Sequence, residues 1–227
     1  MARLPALIET IGNHHPRGAV GVDHYARILR KAGKIAPSKR GVGASHVTVS
    51  EASNLLFGLA EMNKAHLAPD AVDMLRAAVL MGPLPGEDDP ISFLRDTSAP
   101  FDFSTLGNLL DSILVELATV GSRIAGWWDI SLRIENPSIL GSAVEVMFRF
   151  TGPTYKSIKL SYVAHHPDFP HVPMIAEDMA ERFRKAESHD SAPTGITFEI
   201  VISFAVLLAV AHCLASLPSL KNPEGDA

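Results

Sequence analysis

Three runs of residues carry a large apolar side chain at every second position, and this alternation constrains the fold more than any other feature of the sequence. Asn136-Pro137 separates the first run from the second, and Gly152-Pro153 separates the second from the third. A period of two places alternate side chains on one face of a β-strand, while Pro and Gly supply turns. The apolar members are Ile130, Leu132, Ile134, Val144, Val146, Phe148, Phe150, Ile158, Leu160 and Tyr162. The sequence therefore predicts an antiparallel meander with one buried face.

The stretch 200–217, IVISFAVLLAVAHCLASL, contains no Lys, Arg, Asp or Glu and is near the lower length limit of a membrane span. The alternation over residues 196–202 favours a strand in its first part, and Ser203 is a candidate N-cap for a helix in its second part. We therefore expect a fourth strand followed by a buried helix that ends near Leu217. A membrane span is the alternative.

Apolar residues three and four positions apart predict amphipathic helices in six segments. These are a short helix over Ala6–Ile11, helices over Val22–Ala32 and Val47–Leu59, a helix from Pro69 to about Met81, a helix through Leu106–Leu117, and Met174–Glu187. In the helix after Pro69, we expect Val72, Leu75 and Val79 to point inward. The fifth segment has a strong helical stripe, formed by Leu106, Leu109, Leu110, Ile113, Leu114 and Leu117.

Local signals mark the ends of the first three helices. Gly12 and Gly33 each follow an apolar periodic segment, where a helix commonly stops at glycine. Thr48 and Glu51 have the spacing of a capping box at the start of the third helix. The sequence therefore predicts short N-terminal helices joined by loops.

The positive charge of the chain is concentrated in its first third. Residues 1–66 contain nine Lys and Arg and four acids, a net charge of +5, whereas the whole chain carries −5. The remainder must therefore carry −10. Such asymmetry favours a part that binds a polyanion, joined to a part that does not.

Residues 27–50 contain the candidate binding residues. Four cations lie three, four or seven positions apart on the second predicted helix and just beyond it, and two more flank glycines in the segment that follows. Lys and Arg attract phosphate, glycines allow the main chain to approach closely, and hydroxyls at a helix start can also meet phosphate. The candidate DNA-binding residues are Arg27, Arg30, Lys31, Lys34, Lys39, Arg40, Thr48 and Ser50. The alternatives are a solvated surface without a partner and an anionic partner other than nucleic acid.

The stretch YARILRKAGKI, followed by KRGVGASHVTVSEASNLLFGL, resembles small regulatory or DNA-packaging-associated proteins of bacterial prophages. The resemblance covers roughly residues 20–60. It implies an N-terminal domain of helix-turn-helix type that binds double-stranded DNA.

These observations predict an α+β protein in two parts. Residues 1–82 would form the helical, helix-turn-helix-like DNA-binding domain, and residues 83–103 would form a linker that includes GPLPGEDDP. Residues 104–218 would form an antiparallel sheet with packed helices, a module for self-association or partner binding. Residues 219–227 would be a flexible tail.

No catalytic motif supports an enzyme, so we expect a non-enzymatic protein without cofactor or metal. His165, His166, Asp168 and His171 have ligand chemistry, but two prolines in the same run favour a surface loop. The single cysteine, Cys213, excludes an intramolecular disulfide and fits a reducing compartment. The first nine residues lack the apolar core of a signal peptide, so we expect a cytoplasmic location.

The resulting hypothesis is a DNA-binding transcription regulator of phage or bacterial origin that acts as a homo-oligomer. A phage assembly or DNA-packaging factor, similar to a small packaging subunit, is the first alternative. An enzyme whose site lies in the C-terminal module is the second. A dimer would favour regulation, whereas a larger ring would favour packaging.

Overall fold

An antiparallel sheet and the helices that share its core make up the described part of the chain, so the predicted α+β class is confirmed. The computed structural model describes residues 3–37, 46–61, 64–81, 101–120, 128–135, 142–150, 156–164 and 199–215. The helices are α1 Leu4–Gly12, α2 Gly18–Lys31, α3 Val49–Leu59, α4 Ala68–Arg76, α5 Leu106–Val120 and α6 Phe204–Ala215, with a 3₁₀ turn at Ala65–Leu67. The strands are β1 Val79–Leu80, β2 Trp128–Glu135, β3 Ser142–Phe150, β4 Lys156–Ala164 and β5 Glu199–Ile202. They lie in the order β1-β4-β3-β2-β5, and every neighbouring pair is antiparallel.

The predicted meander is confirmed in β2, β3 and β4. Its register aligns the apolar residues across the three strands, so that Leu132 lies opposite Val146 and Val146 lies opposite Leu160. Nine of the predicted inward residues are at most 5% exposed. They are Ile130, Leu132, Ile134, Val144, Val146, Phe148, Ile158, Leu160 and Tyr162. A slip of one residue would turn this set outward, so burial of one face fixes the register. The side chain of Phe150 lies outside the described part.

The division of the C-terminal apolar stretch into a strand and a helix is also confirmed. β5 pairs with β2, with Ile202 opposite Leu132, and α6 begins two residues later at Phe204. The buried residues of α6 are Leu207, Val210, Ala211 and Leu214, while Cys213 is partly buried against the core. Among the residues that the structure describes, no helix is long and apolar enough to cross a membrane.

The prediction for the helix after Pro69 is correct at its start and wrong at its end. Val72 and Leu75 are buried, but α4 ends at Arg76 and Val79 is 49% exposed. Val79 and Leu80 instead form β1, which pairs with the end of β4. The backbone N–H of Met81 donates to the carbonyl of Ser161 at 2.8 Å, so main-chain pairing with a distant strand replaces the last helical turn.

The two predicted stop glycines have different roles. Gly33 has a φ of 75° and follows α2, as predicted. Gly12 is instead the last residue of α1, and a Cβ there would lie 2.5 Å from the Cα and backbone N of Ala19 in α2. The predicted end of the first helix at Gly12 is therefore confirmed, although Gly12 is the last helical residue and not the residue after the helix. The glycine allows α1 and α2 to approach each other closely.

The two predicted parts share one hydrophobic core in the described residues. α1 packs on α6, α3 and α4 pack on α5, and α5 packs on α6. Arg76 of α4 forms an ion pair with Asp111 of α5 at 2.7 Å. Phe103, at the end of the predicted linker, is 8% exposed and belongs to the same core. Three of the predicted segments lie outside the described residues. They are the rest of that linker through residue 100, the helix over residues 174–187 and the tail over residues 219–227. The boundary near residue 82 stays a prediction.

We expect one cooperative unfolding transition in urea, because helices from both predicted parts bury apolar residues in the same core. Far-ultraviolet circular dichroism would follow the helices, and fluorescence of Trp127 and Trp128 would follow the C-terminal part. The two signals should give the same midpoint. Two separated midpoints would instead support an independently folded domain over residues 1–82.

Candidate nucleic-acid interface

α2 separates into an apolar face and a basic face, as its sequence predicts. Val22, Tyr25, Ala26 and Leu29 are at most 1% exposed and pack in the core. Arg27 and Lys31, four residues apart, are exposed, whereas Arg30 is partly buried. Residues four apart lie one above the other on a helix, so Arg27 and Lys31 project from the same side.

Two acidic residues lie beside this basic face. Asp23 forms an ion pair with Arg27 one turn away, and Asp73 of α4 forms one with Lys34 at 2.5 Å. The Arg27 and Asp73 side chains are 70% and 55% exposed, so solvent screens both pairs. Exposed pairs of this kind contribute about 0–1 kcal/mol each. The Asp23 contact could have been found from its spacing, but the Asp73 contact joins residues far apart in the sequence.

The chain leaves α2 through a hydrogen-bonded turn centred on Gly33. The Gly33 N–H donates to the carbonyl of Arg30 at 3.1 Å, and the Lys34 N–H donates to the carbonyl of Leu29 at 2.9 Å. This pair of bonds is the Schellman motif, which requires a left-handed residue at its centre. Ile35 is then 2% exposed and returns the chain to the core. Lys39 and Arg40 follow but lie outside the described residues.

The start of α3 is closed by the predicted capping box. The Thr48 hydroxyl accepts the Glu51 N–H at 3.2 Å, and a Glu51 carboxylate oxygen accepts the Thr48 N–H at 2.7 Å. The Thr48 hydroxyl also donates to that carboxylate at 3.1 Å. Thr48 is therefore engaged in the cap, Ser50 is partly buried, and Glu51 places negative charge at the helix N-terminus. The contact of Thr48 and Ser50 with phosphate stays a prediction.

Tyr25 anchors α2 to the segment after α3. Its hydroxyl donates to the backbone carbonyl of Glu61, and Arg17 donates to the same hydroxyl at 3.3 Å. Burial raises the pKa of Tyr25 above its usual value, although the Arg17 charge opposes that shift. Burial also lowers the pKa of His15, beside the start of α2, and Arg17 adds to the effect. The neutral hydroxyl of Tyr25 therefore joins the buried face of α2, opposite the basic face, to the backbone at Glu61.

The connection between α2 and α3 is long for a helix-turn-helix motif. It spans residues 32–48, whereas the turn of that motif has roughly three to four residues. Residues 38–45 of the connection lie outside the described part. The helix-turn-helix-like arrangement therefore stays a prediction.

The described residues form no cluster of side chains suited to a metal ion. Within the ranges given above, no group of three or more His, Cys, Asp or Glu side chains could hold a metal ion. The predicted surface loop with His165, His166, Asp168 and His171 lies outside those ranges.

The chain matches no protein-family model, no curated protein and no solved structure at a significant level. The resemblance to prophage proteins therefore stays a prediction.

Two substitutions at Gly33 test whether its left-handed conformation matters for the end of α2. A Cβ at this position meets nothing within 4 Å, so the change in stability would come from backbone conformation alone. We expect Gly33→Ala to lower the free energy of unfolding by about 1 kcal/mol. Gly33→Asn should cost less, since Asn tolerates the left-handed region. Urea unfolding measures both, and equal stability of all three proteins would contradict the assigned turn.

Proposed function

We propose that the protein binds double-stranded DNA without catalysing a reaction. The DNA would contact the basic face of α2 and the basic segment that follows it, which contains Lys34, Lys39 and Arg40. One observation supports this most directly. α2 buries its apolar face, and Arg27 and Lys31 project from its exposed side. Lys34, Lys39 and Arg40 follow them in the sequence. A helix held in this way can lie along phosphates while its core packing stays intact.

The charge of the whole chain limits how such binding would work. A net charge of −5 repels DNA at most orientations, so attraction is confined to the basic face. Arg27 and Lys34 have carboxylate partners, but exposed ion pairs are weak enough for phosphate to replace them. We therefore propose contacts that are mainly electrostatic and strongly dependent on salt concentration.

We further propose that the protein is a cytoplasmic transcription regulator that acts as a homo-oligomer. One short helix usually binds DNA too weakly by itself, and a second copy raises the effective affinity. The packaging-factor alternative uses the same DNA contacts but a larger ring.

Light scattering of the purified protein tests the proposed oligomeric state. A dimer supports regulation, a ring supports packaging, and a monomer contradicts both oligomeric readings.

A matched pair of single substitutions tests the DNA-binding face. Lys31→Gln and Lys159→Gln each remove one positive charge from an exposed lysine, on α2 and on β4 respectively. We expect Lys31→Gln to weaken binding to duplexes of any sequence and Lys159→Gln to leave it unchanged. Removal of one phosphate-binding cation should also reduce the log–log salt slope by about 0.9. The measurement is fluorescence anisotropy with a labelled duplex at several salt concentrations.

The double variant Lys39→Ala/Arg40→Ala extends the test to the following segment. If both side chains meet phosphate, the salt slope should fall by about twice the value for a single cation. Equal affinities and slopes for wild type, the Lys31 variant and the double variant would mean that the basic region is only a solvated surface. That result would contradict the proposed function.

A further inference from the structure

The exposed side of α2 is divided along its length into an uncharged half and a basic half. Arg27 and Lys31 project from the C-terminal half. The N-terminal half carries Val20, which is 86% exposed, and His24, which is also exposed. Steps of four, three and four residues lead from Val20 to Lys31 through the two residues between them, so all four lie in one line along the helix. A partner that lies along Arg27 and Lys31 therefore also meets Val20 and His24.

The N-terminal end of this line is open to a partner. Val20 is the most exposed of the large apolar side chains that the structure describes, ahead of Val201 at 53%. A single exposed valine needs no explanation by itself. An exposure of 86% on a helix also means, however, that no neighbouring element stands beside the side chain. A partner can therefore approach this part of α2 directly.

The dimensions of α2 suit the major groove of a duplex. An α-helix with its side chains is about 10–12 Å across, and the groove is about 12 Å wide. The line from Val20 to Lys31 is roughly 16 Å long, at about 1.5 Å per residue. Its basic end can therefore contact phosphates at the rim of the groove while its uncharged end lies against base edges.

Asp23 favours the same orientation. Its side chain is 31% exposed, and it lies directly before His24 in the uncharged half of the helix. A carboxylate repels phosphate, whereas base edges carry no formal charge. The ion pair with Arg27 also compensates part of the charge of Asp23. Base edges are therefore better neighbours than phosphates for this half of α2.

We propose that Val20 and His24 contact base edges in the major groove, while Arg27 and Lys31 contact phosphates. This inference rests on the proposed function. A valine side chain forms no bond with phosphate but packs against the methyl group of thymine, and an imidazole N–H donates to the acceptors of a purine. Both contacts depend on the base, whereas contacts with phosphate do not. The N-terminal half of α2 therefore gives the protein a preference for particular sequences.

Selection from a library of duplexes with a randomised centre tests whether this preference exists. The duplex that the wild-type protein recovers, and a scrambled version of it, are then compared by fluorescence anisotropy at one salt concentration. We expect wild type to bind the recovered duplex more tightly by roughly tenfold or more, as for one or two recognised base pairs.

Substitutions along the line separate the two halves of α2. Val20→Ala and His24→Ala should each reduce the preference by roughly three- to tenfold and leave affinity for the scrambled duplex unchanged. Lys31→Gln should instead weaken binding to both duplexes alike and leave the preference unchanged. Val115→Ala is the matched control, because it makes the same change at an exposed position of α5 and should alter neither affinity. Thermal unfolding checks that each variant keeps its fold, as expected for exposed side chains.

Equal binding of wild type to the recovered and scrambled duplexes would overturn the inference, while the proposed function would stand. An unchanged preference in both Val20→Ala and His24→Ala would have the same meaning. In that case, a lower mass of Val20→Ala in light scattering would assign the uncharged half of α2 to a contact with a second copy of the chain. Absence of wild-type binding to every duplex at low salt would contradict the proposed function and the inference together.

Discussion

The apolar face of the sheet is the constraint on which the rest of the described structure depends. β2, β3 and β4 present nine side chains that are buried on one side, and these must be covered by other elements. α6 contacts β2, and Phe101 lies over Phe148 with ring centroids 5.8 Å apart. α5 and α6 pack against each other and provide the surface on which α1, α3 and α4 lie. The position of the N-terminal helices therefore follows from the sheet, although they precede it in sequence.

A polar network connects this core to the candidate interface. Asp111 of α5 accepts two bonds from Arg76, Arg76 orients Asn54, and Asn54 holds the carbonyl of Lys34. Arg76 and Asp111 are each 25% exposed, so their attraction is screened less than that of the more exposed pairs beside α2. These bonds link the end of α2, through α3 and α4, to α5. Through these bonds, α5 of the predicted C-terminal part helps to position the end of α2.

Local patterns predicted most elements of the fold, because they depend on residues close in sequence. The period of two predicted the meander. The spacing within Leu106–Leu117 predicted a helix, and the six residues of its apolar stripe are all at most 1% exposed, while Val115, outside the stripe, is 41% exposed. The prediction for Val79 is wrong because its strand forms by pairing with residues distant in sequence, Val163 of β4, 84 residues away, and Thr105. α1 ends at Gly12 as predicted, but the close approach of Gly12 to Ala19 could not be predicted from spacing because Ala19 belongs to another helix. At both positions, spacing within one segment does not reveal the tertiary contact.

The candidate site was predictable to a smaller extent, for a related reason. The basic face of α2 and the capping box follow from spacing within one helix, and both are present. The contacts of Lys34 with Asp73 and of Ala36 with Glu51 depend on how three helices pack, so spacing could not reveal them.

These contacts change the electrostatic picture, because positive charge counted along a sequence overestimates the potential of a surface where carboxylates lie beside the cations. Under the proposed function, phosphate would have to compete with Asp23 and Asp73 for their partners, and such competition is more favourable where several phosphates are engaged together. A polyanion with regularly spaced phosphates meets that condition better than a single small anion, which would have to displace a carboxylate for each contact it makes.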